Sequence, residues 1–157
     1  MWNWKLIFED GEVASYCDLD KIIDTEGDED NIFASMECYR QIPPKFAVWA
    51  SLTFKKKEAI KRYREQRKGA GLPVKGYPQY RYTLCLIEID ATKKRYRVIP
   101  ATDYDSADNE LGESSILNDK DAPLIGGLKT EWTAINSRTT HRMIPAIFKN
   151  LLAQPNA

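Results

Sequence analysis

The chain has 157 residues, a length that fits a single domain over residues 1–157 able to bury a core without disulfides or metals. Hydrophobic residues make up 43% and charged residues 29%, which is typical of a globular protein and excludes an intrinsically disordered one. The 23 basic and 23 acidic side chains cancel, so no global field attracts nucleic acid or an anionic membrane and any electrostatic role is local.

Period-two alternation at the N-terminus predicts a strand with one apolar face. The residues of that face are Trp2, Trp4, Leu6 and Phe8. An Asp-Gly turn signal at 10–11 leads into residues 13–18, which we predict to be the partner strand of a hairpin. Residues 32–40 read as a third strand that ends at the prolines of 43–44, since proline cannot donate a ladder hydrogen bond.

The clearest strand signal lies in the middle of the chain, over Tyr80–Asp90. One face is predicted to carry Tyr80, Tyr82, Leu84, Leu86 and Glu88. Both faces are apolar at their centre, which indicates a central strand covered on each side. A turn at 90–94 leads to a strand over 95–101, in which Tyr96 and Val98 face away from Arg95 and Arg97. Short strands are predicted within 108–117 and over 132–135.

Two helices complete the prediction. Residues 55–68 are rich in helix formers and end at Gly69, which we expect to be the C-cap. Near the C-terminus an apolar stripe recurs at helical spacing, with Pro145 in its first turn or at a kink. The stripe comprises Met143, Ile144, Ile147, Phe148, Leu151 and Leu152. Residues 118–130, with Pro123 and two glycines, are predicted to form a loop. The fold class is therefore α+β, a mainly antiparallel sheet of about six strands packed on a C-terminal helix, with an additional basic helix.

The sequence contains no catalytic or cofactor motif. His141 and Ser137 are candidates for a Ser/His/Asp triad, but no Gly-x-Ser-x-Gly turn presents the serine. The glycines of 126–127 lack the spacing of a phosphate-binding loop. We therefore predict no catalytic residue, no cofactor and no enzymatic activity.

No metal site is predicted either. The acidic segments 24–30 and 103–105 carry the oxygen ligands that calcium prefers, but neither has the glycine and glutamate register of an EF-hand. We interpret them as solvated acidic loops. Cys17, Cys38 and Cys85 are widely spaced and accompany a single histidine, so we expect buried free thiols rather than a zinc site.

The strongest local charge asymmetry lies in the helix predicted over 55–68, which has eight basic residues against two glutamates. Four of them form one stripe: Lys57, Lys61, Arg64 and Lys68. The opposite, apolar stripe comprises Ala59, Ile60 and Tyr63. The basic stripe has three interpretations: a phosphate-tracking surface, a solvated face, or a surface docked on the acidic segment 18–30. Zero net charge favours the last two and leaves nucleic acid open.

Tyrosines near a basic residue offer a second candidate for nucleic-acid binding. Tyr77, Tyr80 and Tyr82 surround Arg81 in the sequence, which is the composition of an aromatic and basic platform. Tyrosine is also common in strands for packing reasons alone. No RNP-like string accompanies these residues, so the structural interpretation is favoured.

Seven stretches of the chain share their order and character with one known family. They are residues 4–7, 14–18, 33–39, 82–90, 95–98, 102–105 and 132–135, the last followed by the C-terminal helix. The most specific is the Tyr-x-Leu-x-Leu-Ile-Glu-Ile-Asp run at 82–90. In this arrangement the chain resembles the bacterial surface-adhesin protein E-like domains. The insert that contains the basic helix has no counterpart in that family.

The resemblance implies an antiparallel sheet curved around a C-terminal helix, often exported to the cell envelope. Named members are adhesins that bind host extracellular-matrix and plasma proteins, and the family supplies no catalytic residue. Its members often carry a cysteine after the Glu-Ile-Asp strand and another at the end of the last helix. Here Ala91 and the stretch 151–154 occupy those places, which favours a reducing compartment.

These observations predict a non-enzymatic binding or structural domain, similar to adhesin-like envelope proteins of unassigned role, with a protein as its partner. The alternative is a binder of nucleic acid or of an acidic protein through the basic helix. No apolar run approaches the roughly 20 residues of a membrane span. The chain opens without the features of a signal peptide, so we expect a cytoplasmic protein or one whose targeting segment was removed. The pattern predicts no oligomeric state.

Overall fold

Three long strands, each rich in β-branched and aromatic residues, form the middle of the sheet in the computed structural model. The structure describes residues 2–9, 11–25, 44–117, 128–135 and 143–152. The strands are β1 (Lys5–Glu9), β2 (Val13–Cys17), β3 (Ile23–Asp24), β4 (Lys45–Phe54), β5 (Tyr80–Asp90), β6 (Arg95–Asp105), β7 (Glu110–Glu113) and β8 (Thr133–Ala134). The helices are α1 (Lys57–Gly69) and α2 (Met143–Leu152), and a single 3-10 turn (Tyr77–Gln79) precedes β5.

The sheet is antiparallel throughout and runs in the order β1-β2-β4-β5-β6-β7. Each outer edge of the three-strand centre is shared by two shorter strands. β2 and β3 lie end to end along β4, and β7 and β8 lie end to end along β6. The shorter strands thereby cover the backbone hydrogen-bonding groups of β4 and β6 over most of their length.

One face of the sheet, called here the inner face, is buried beneath the two helices. Phe46, Val48 and Leu52 of β4 pack there with the inward residues of the neighbouring strands. α1 contributes Tyr63 to this core and α2 contributes Ile147, both fully buried. The predicted α+β class and the mainly antiparallel sheet are therefore confirmed.

The long strand β5 is confirmed over Tyr80–Asp90, but only its inner face is fully covered. Cys85 and Ile87 are completely buried, whereas Leu84 and Leu86 on the outer face are half-buried. In β6, Tyr96 and Val98 are buried as predicted, opposite the arginines of the outer face. The strands predicted within 108–117 and over 132–135 are present as the shorter β7 and β8.

Two bulges correct the predicted faces. A register shift between Leu6 and Phe8 places them on opposite faces, since Leu6 pairs with Tyr16 and is 45% exposed while Phe8 packs on the core. A second shift between Tyr80 and Tyr82 turns Tyr80 into the core. A bulge adds one residue to one strand only, so the alternation of side chains reverses beyond it.

The strand β4 was absent from the sequence prediction, although it is a central strand of ten residues. Its inward and outward positions are both apolar over much of its length, and outward Ala47 is completely buried. Alternation, the main signal of a half-buried strand, is therefore missing here.

The end of α1 also differs from the prediction. Gly69 is still helical, and Ala70 is the C-cap. Gly71 adopts the left-handed conformation with φ of +74° and donates its N–H to the carbonyl of Lys68. Leu72 donates to the carbonyl of Arg67, which completes a Schellman motif and satisfies the last carbonyls of the helix.

Some predictions fall on residues that the structure does not describe. They are the strand over 32–40 and most of the loop over 118–130. In the described part of the chain, neither helix combines the length and the apolar character needed to cross a bilayer.

Candidate functional site

A depression lies on the outer face of the sheet, opposite the helices, because small side chains there adjoin large aromatic ones. The outward positions of β2 and β4 include Ala14, Ser51 and Thr53, and Ala14 pairs with Thr53 across the two strands. Tyr16 of β2 and Leu84 of β5 flank Ser51 in the same cross-strand row. These residues form a low floor between two higher walls.

The first wall is a stacked pair of tryptophans that precedes β1. The rings of Trp2 and Trp4 lie 4.8 Å apart at 17°, and Trp2 also meets the edge of Trp49 at 6.1 Å. The intervening Asn3 donates its backbone N–H to the buried carboxylate of Asp18 at 3.0 Å. This bond ties the N-terminal segment to the turn after β2 and holds the two indoles over the sheet.

Lys21 adds a second restraint on the tryptophan wall. Its ammonium lies 4.8 Å from the Trp2 ring and 3.2 Å from the carboxylate of Asp18. A cation over an indole face is favourable by about 0.5–1 kcal/mol at an exposed site. Asp18 therefore orients this wall through both a backbone bond and a lysine.

The second wall is a stacked pair of tyrosines on β5 and β6. Tyr82 and Tyr104 lie 5.0 Å apart with their rings inclined by 12°. The Tyr82 hydroxyl donates to Asp108 at 3.0 Å, and partial burial together with this bond raises the pKa of Tyr82 to about 12. Asp105 fixes the turn that carries Asp108, since it accepts the backbone N–H groups of Ala107 and Asn109.

Between the walls lies a cavity of about 660 Å³, called here the aromatic groove. The residues that line it are Trp2, Trp4, Tyr16, Ser51, Thr53, Arg81, Tyr82, Leu84, Tyr104 and Asp108. Its volume falls within the range of ligand pockets, roughly 300–1,000 Å³. Large aromatic faces with a few polar groups between them are the usual composition of such a pocket.

The polar atoms of the groove are largely unused within the protein. The side chains of Tyr16, Ser51, Thr53, Arg81 and Tyr104 make no hydrogen bond to any residue that the structure describes. Among the described residues that line the groove, the charged ones are Arg81 and Asp108, so their formal charges cancel. The groove thus presents unpaired hydroxyls and one guanidinium beside aromatic faces.

A separate polar cluster lies on the inner face, where Asp103 of β6 is completely buried. Its carboxylate accepts hydrogen bonds from Tyr63 at 2.6 Å, from Tyr77 at 2.7 Å and from Thr83 at 2.6 Å. Arg67 lies 3.7 Å away as the counter-charge. Burial and the Asp103 carboxylate both raise the pKa of Tyr63 and of Tyr77, so these hydroxyls stay protonated as donors.

The partners of Arg67 join α1 to the segments around it. The guanidinium donates to the carbonyl of Pro73 at 2.9 Å and to that of Glu113 at 2.8 Å, and it stacks on Tyr77 at 4.3 Å. Every member of the Asp103 cluster is bonded to another, and the cluster is closed to solvent. We assign it a structural role in holding α1 and β7 to the sheet.

The predicted basic stripe lies on the solvent side of α1. Lys57, Lys61 and Lys68 are exposed and Arg64 is half-buried. None of the four is within ion-pair distance of a carboxylate in the described part of the chain. The predicted docking on the acidic segment 18–30 can be compared with the structure only over 18–25, because residues 26–30 are outside the described ranges.

The remaining chemical candidates are distributed as follows. His141, Ser137 and the glycines of 126–127 lie outside the described residues. Among the described residues no three His, Cys, Asp or Glu side chains converge on a possible metal position. In the acidic segment 103–105, Asp103 is bonded inside the core and Asp105 organises a turn.

Cys17 and Cys85 are buried free thiols, as predicted, and Cys38 lies outside the described residues. Both pair with Ala50 from opposite sides, which puts their strands about 10 Å apart, too far for a disulfide. Burial, with a smaller effect from Asp18, raises the pKa of Cys17 to about 12. Neither thiol is a nucleophile at neutral pH.

The three tyrosines that are candidates for an aromatic and basic platform do not come together on one surface, in agreement with the favoured structural interpretation. Tyr77 and Tyr80 are buried in the core, and only Tyr82 lies on the outer face beside Arg81. The bulge that turns Tyr80 inward is the cause. Tyr104, from the next strand, takes the place beside Tyr82. Alternation from Tyr96 and Val98 would put Tyr104 on the inner face, but the register shift between Leu84 and Cys85 turns it outward, so no local pattern indicates this pair.

No protein-family model, no curated protein and no solved structure matches the chain. The resemblance to the surface-adhesin protein E-like domains therefore stays a prediction from the seven sequence stretches.

Proposed function

We propose that this chain is a non-enzymatic binding domain, similar in role to the adhesin-like envelope proteins it resembles, and that its ligand lies in the aromatic groove. The observation that carries the proposal is the pair of stacked aromatic walls, Trp2–Trp4 and Tyr82–Tyr104, on either side of a floor with unpaired hydroxyls. The walls are held in place by Asp18 on one side and by Asp105 and Asp108 on the other.

The energetics of the walls support binding. Trp2 is 43% exposed, and the other wall rings are half-buried, so a ligand between them would remove further apolar area from water. Each Å² of apolar area removed contributes about 25 cal/mol. The rings are already ordered by stacking and hydrogen bonds, which lowers the entropy cost of binding.

The lining also supports binding rather than reaction. Among the described residues, the lining includes no histidine, cysteine or lysine, and the hydroxyls of Ser51 and Thr53 make no hydrogen bond to a described base. An activated nucleophile requires a base within hydrogen-bonding reach. The phenol of Tyr82 stays protonated because its pKa is raised to about 12.

The proposal is tested by mapping small fragments onto the protein in solution. We expect a set of aromatic and hydroxylated fragments to shift the backbone amide signals of Tyr16, Ser51, Leu84 and Tyr104 in ¹H–¹⁵N spectra. Thr53→Trp, which fills the floor, is expected to abolish these shifts. Ile99→Trp is the matched control, since Ile99 is 40% exposed on the same face and does not line the groove. Fragments that shift α1 and leave the groove unchanged would show the proposal to be wrong.

A second candidate function is the binding of nucleic acid or an acidic protein through α1. The observation that favours it is that Lys57, Lys61, Arg64 and Lys68 share a stripe and pair with no carboxylate among the described residues. Such a stripe binds a polyanion in a salt-dependent manner, because association releases counterions.

Charge reversal on α1 distinguishes binding through the basic stripe from binding in the aromatic groove. Changing all four stripe residues to Glu is expected to abolish a salt-dependent complex with an oligonucleotide or an acidic peptide in a mobility-shift assay. The control changes the exposed Lys5, Lys75, Lys93 and Lys129 to Glu, with the same change in net charge. Equal binding by both variants would contradict a role for the stripe.

A further inference from the structure

We propose that the ligand of the aromatic groove is a neutral oligosaccharide, an inference that rests on the proposed function and names its ligand class. The groove has stacking faces on two sides, unpaired hydroxyls on its floor and no net charge. These three properties are complementary to a polyhydroxylated ring that has an apolar C–H face and no charge.

The aromatic walls match the apolar faces of sugar rings. The face of an indole or phenol ring carries the negative part of its quadrupole, and it attracts the weakly positive axial C–H groups of a pyranose. Trp4 and Tyr104 belong to opposite walls, so consecutive rings of one oligosaccharide can each meet an aromatic face. The 660 Å³ volume suits a ligand of drug size or larger rather than a single small ion.

The polar groups of the groove are complementary to the hydroxyls of a sugar. Each sugar hydroxyl both donates and accepts hydrogen bonds, and the groove contains both donor and acceptor groups. Tyr16, Ser51, Thr53 and Tyr104 supply hydroxyls with no described partner, and Arg81 supplies donors only. The second oxygen of Asp108 is an acceptor, since only its Oδ1 receives the Tyr82 bond.

Charge distinguishes this ligand from a single-stranded nucleic acid. A nucleic-acid groove combines stacking rings with several cations that follow the phosphates. Here Arg81 is balanced by Asp108, and the basic stripe of α1 lies on the helix-covered side of the sheet rather than in the groove. A polyproline segment also binds aromatic grooves, but its backbone offers carbonyl acceptors and no N–H donors. The floor hydroxyls could then donate hydrogen bonds to it but could not accept any from it.

The test is a calorimetric titration of the full chain with a panel of neutral hexasaccharides: cellohexaose, maltohexaose, chitohexaose, xylohexaose and mannohexaose. We expect at least one to bind, and we expect Trp4→Ala and Tyr104→Ala each to weaken that binding about tenfold or more, with ¹H–¹⁵N spectra confirming that both variants are folded. Ile99→Ala, on the same face but outside the groove, is expected to bind as the wild type does.

Two further probes, oligothymidylate and decaproline, decide between ligand classes. One contrary result would be that no saccharide binds, whereas oligothymidylate binds in the groove in a salt-dependent manner or decaproline binds there. That result would overturn the saccharide proposal and leave the groove as a binding site for another ligand class. No saccharide binding up to 10 mM would also overturn it. If fragments still map to the groove, the proposed function stands; if they do not, both proposals fail.

Discussion

Asp103 shows how a single buried carboxylate can organise a domain. It is fully buried on β6 and accepts three short hydrogen bonds from residues of α1, the 3-10 turn and β5. A buried carboxylate without such partners would cost several kcal/mol. Its position inside the core means that α1 docks in one orientation, with Arg67 beside the carboxylate.

We predict that Asp103→Ala lowers the free energy of unfolding by about 3–5 kcal/mol, because it removes the carboxylate that accepts from three buried hydroxyls and leaves the buried Arg67 charge without a counter-charge. Arg67→Met is expected to cost a similar amount, and the double variant less than the sum, because removing both charges leaves neither unpaired. Urea unfolding monitored by tryptophan fluorescence measures all three.

The control for this cycle is Tyr82→Phe, which removes another tyrosine–aspartate bond but an exposed one. We expect it to change the free energy of unfolding by no more than about 0.5 kcal/mol. A loss as large as that of Asp103→Ala, or strict additivity in the cycle, would contradict the role assigned to the Asp103 cluster.

The buried position of Arg67 is the feature of α1 that the sequence pattern indicates least. Its neighbours Arg64 and Lys68 lie on the solvent side, and Arg67 looked like one more basic residue of a charged helix. Asp103 in β6 and Glu113 in β7 are more than 30 residues away from Arg67 in the chain. They reach Arg67 only because the folded sheet places these two strands beside α1. Local patterns contain no information on such pairings.

At the scale of elements, the C-terminal end of α1 contains two glycines with different roles. Gly69 lies within the helix, and Gly71 provides the left-handed residue of the Schellman motif. A Cβ at either position would meet nothing within 4 Å, so space does not distinguish them. Only the backbone conformation does.

We therefore predict opposite effects of two alanine substitutions. Gly71→Ala should lower the free energy of unfolding by about 1 kcal/mol, since a residue with a Cβ resists a φ of +74°. Gly69→Ala should raise it by about 0.5–1 kcal/mol through better helix propensity. Thermal or urea unfolding of the two variants provides the comparison, and a larger loss from Gly69→Ala would favour the original assignment of Gly69 as the cap.

Strands with a clear period-two alternation of apolar and polar residues can be predicted from the sequence, and strands without it cannot. β5 from Tyr82 onward and the first residues of β6 alternate as predicted, whereas β4 is apolar at successive positions and the pattern does not indicate it. Further along β6, a register shift between Leu84 and Cys85 reverses the alternation, so Asp103 faces the core. The bulges in β1 and at the start of β5 displaced Leu6 and Tyr80 by one position each, since a bulge depends on pairing with a neighbouring strand.

On the scale of the whole molecule, burial of ionisable groups links stability to alkaline pH. Burial raises the pKa of Cys17 to about 12 from an ordinary 9.0, and it also raises the pKa values of Cys85, Tyr63, Tyr77 and Tyr80. In the unfolded chain these groups lose their protons near their ordinary values. Above about pH 9 the folded state therefore binds more protons than the unfolded state.

We predict that the free energy of unfolding is unaffected by these groups below about pH 9 and falls as pH rises above it, by up to about 1.4 kcal/mol per pH unit for each group. Urea unfolding between pH 7 and pH 11 measures this slope. The Cys17→Ala/Cys85→Ala variant should show a shallower slope between pH 9 and pH 10. An unchanged midpoint up to pH 11 would contradict the burial of these groups.

The aromatic groove could not be read from the sequence because its residues come from widely separated stretches. The sequence explains Trp2, Trp4, Tyr16 and Tyr82 as ordinary strand residues, and it assigns no strand to Ser51, Thr53 or Tyr104. The order of the strands makes them neighbours, and that order includes β4, which the sequence did not reveal. The proposed binding site is therefore visible only once the strand order is known.

The central claim, that the outer face of the sheet binds a ligand between its two aromatic walls, is tested most directly by soaking crystals of the chain in the fragment set. We predict electron density for bound molecules between Trp4 and Tyr104, above Ser51 and Thr53. Density that clusters on α1 or elsewhere, with the accessible groove empty in every soak, would contradict it.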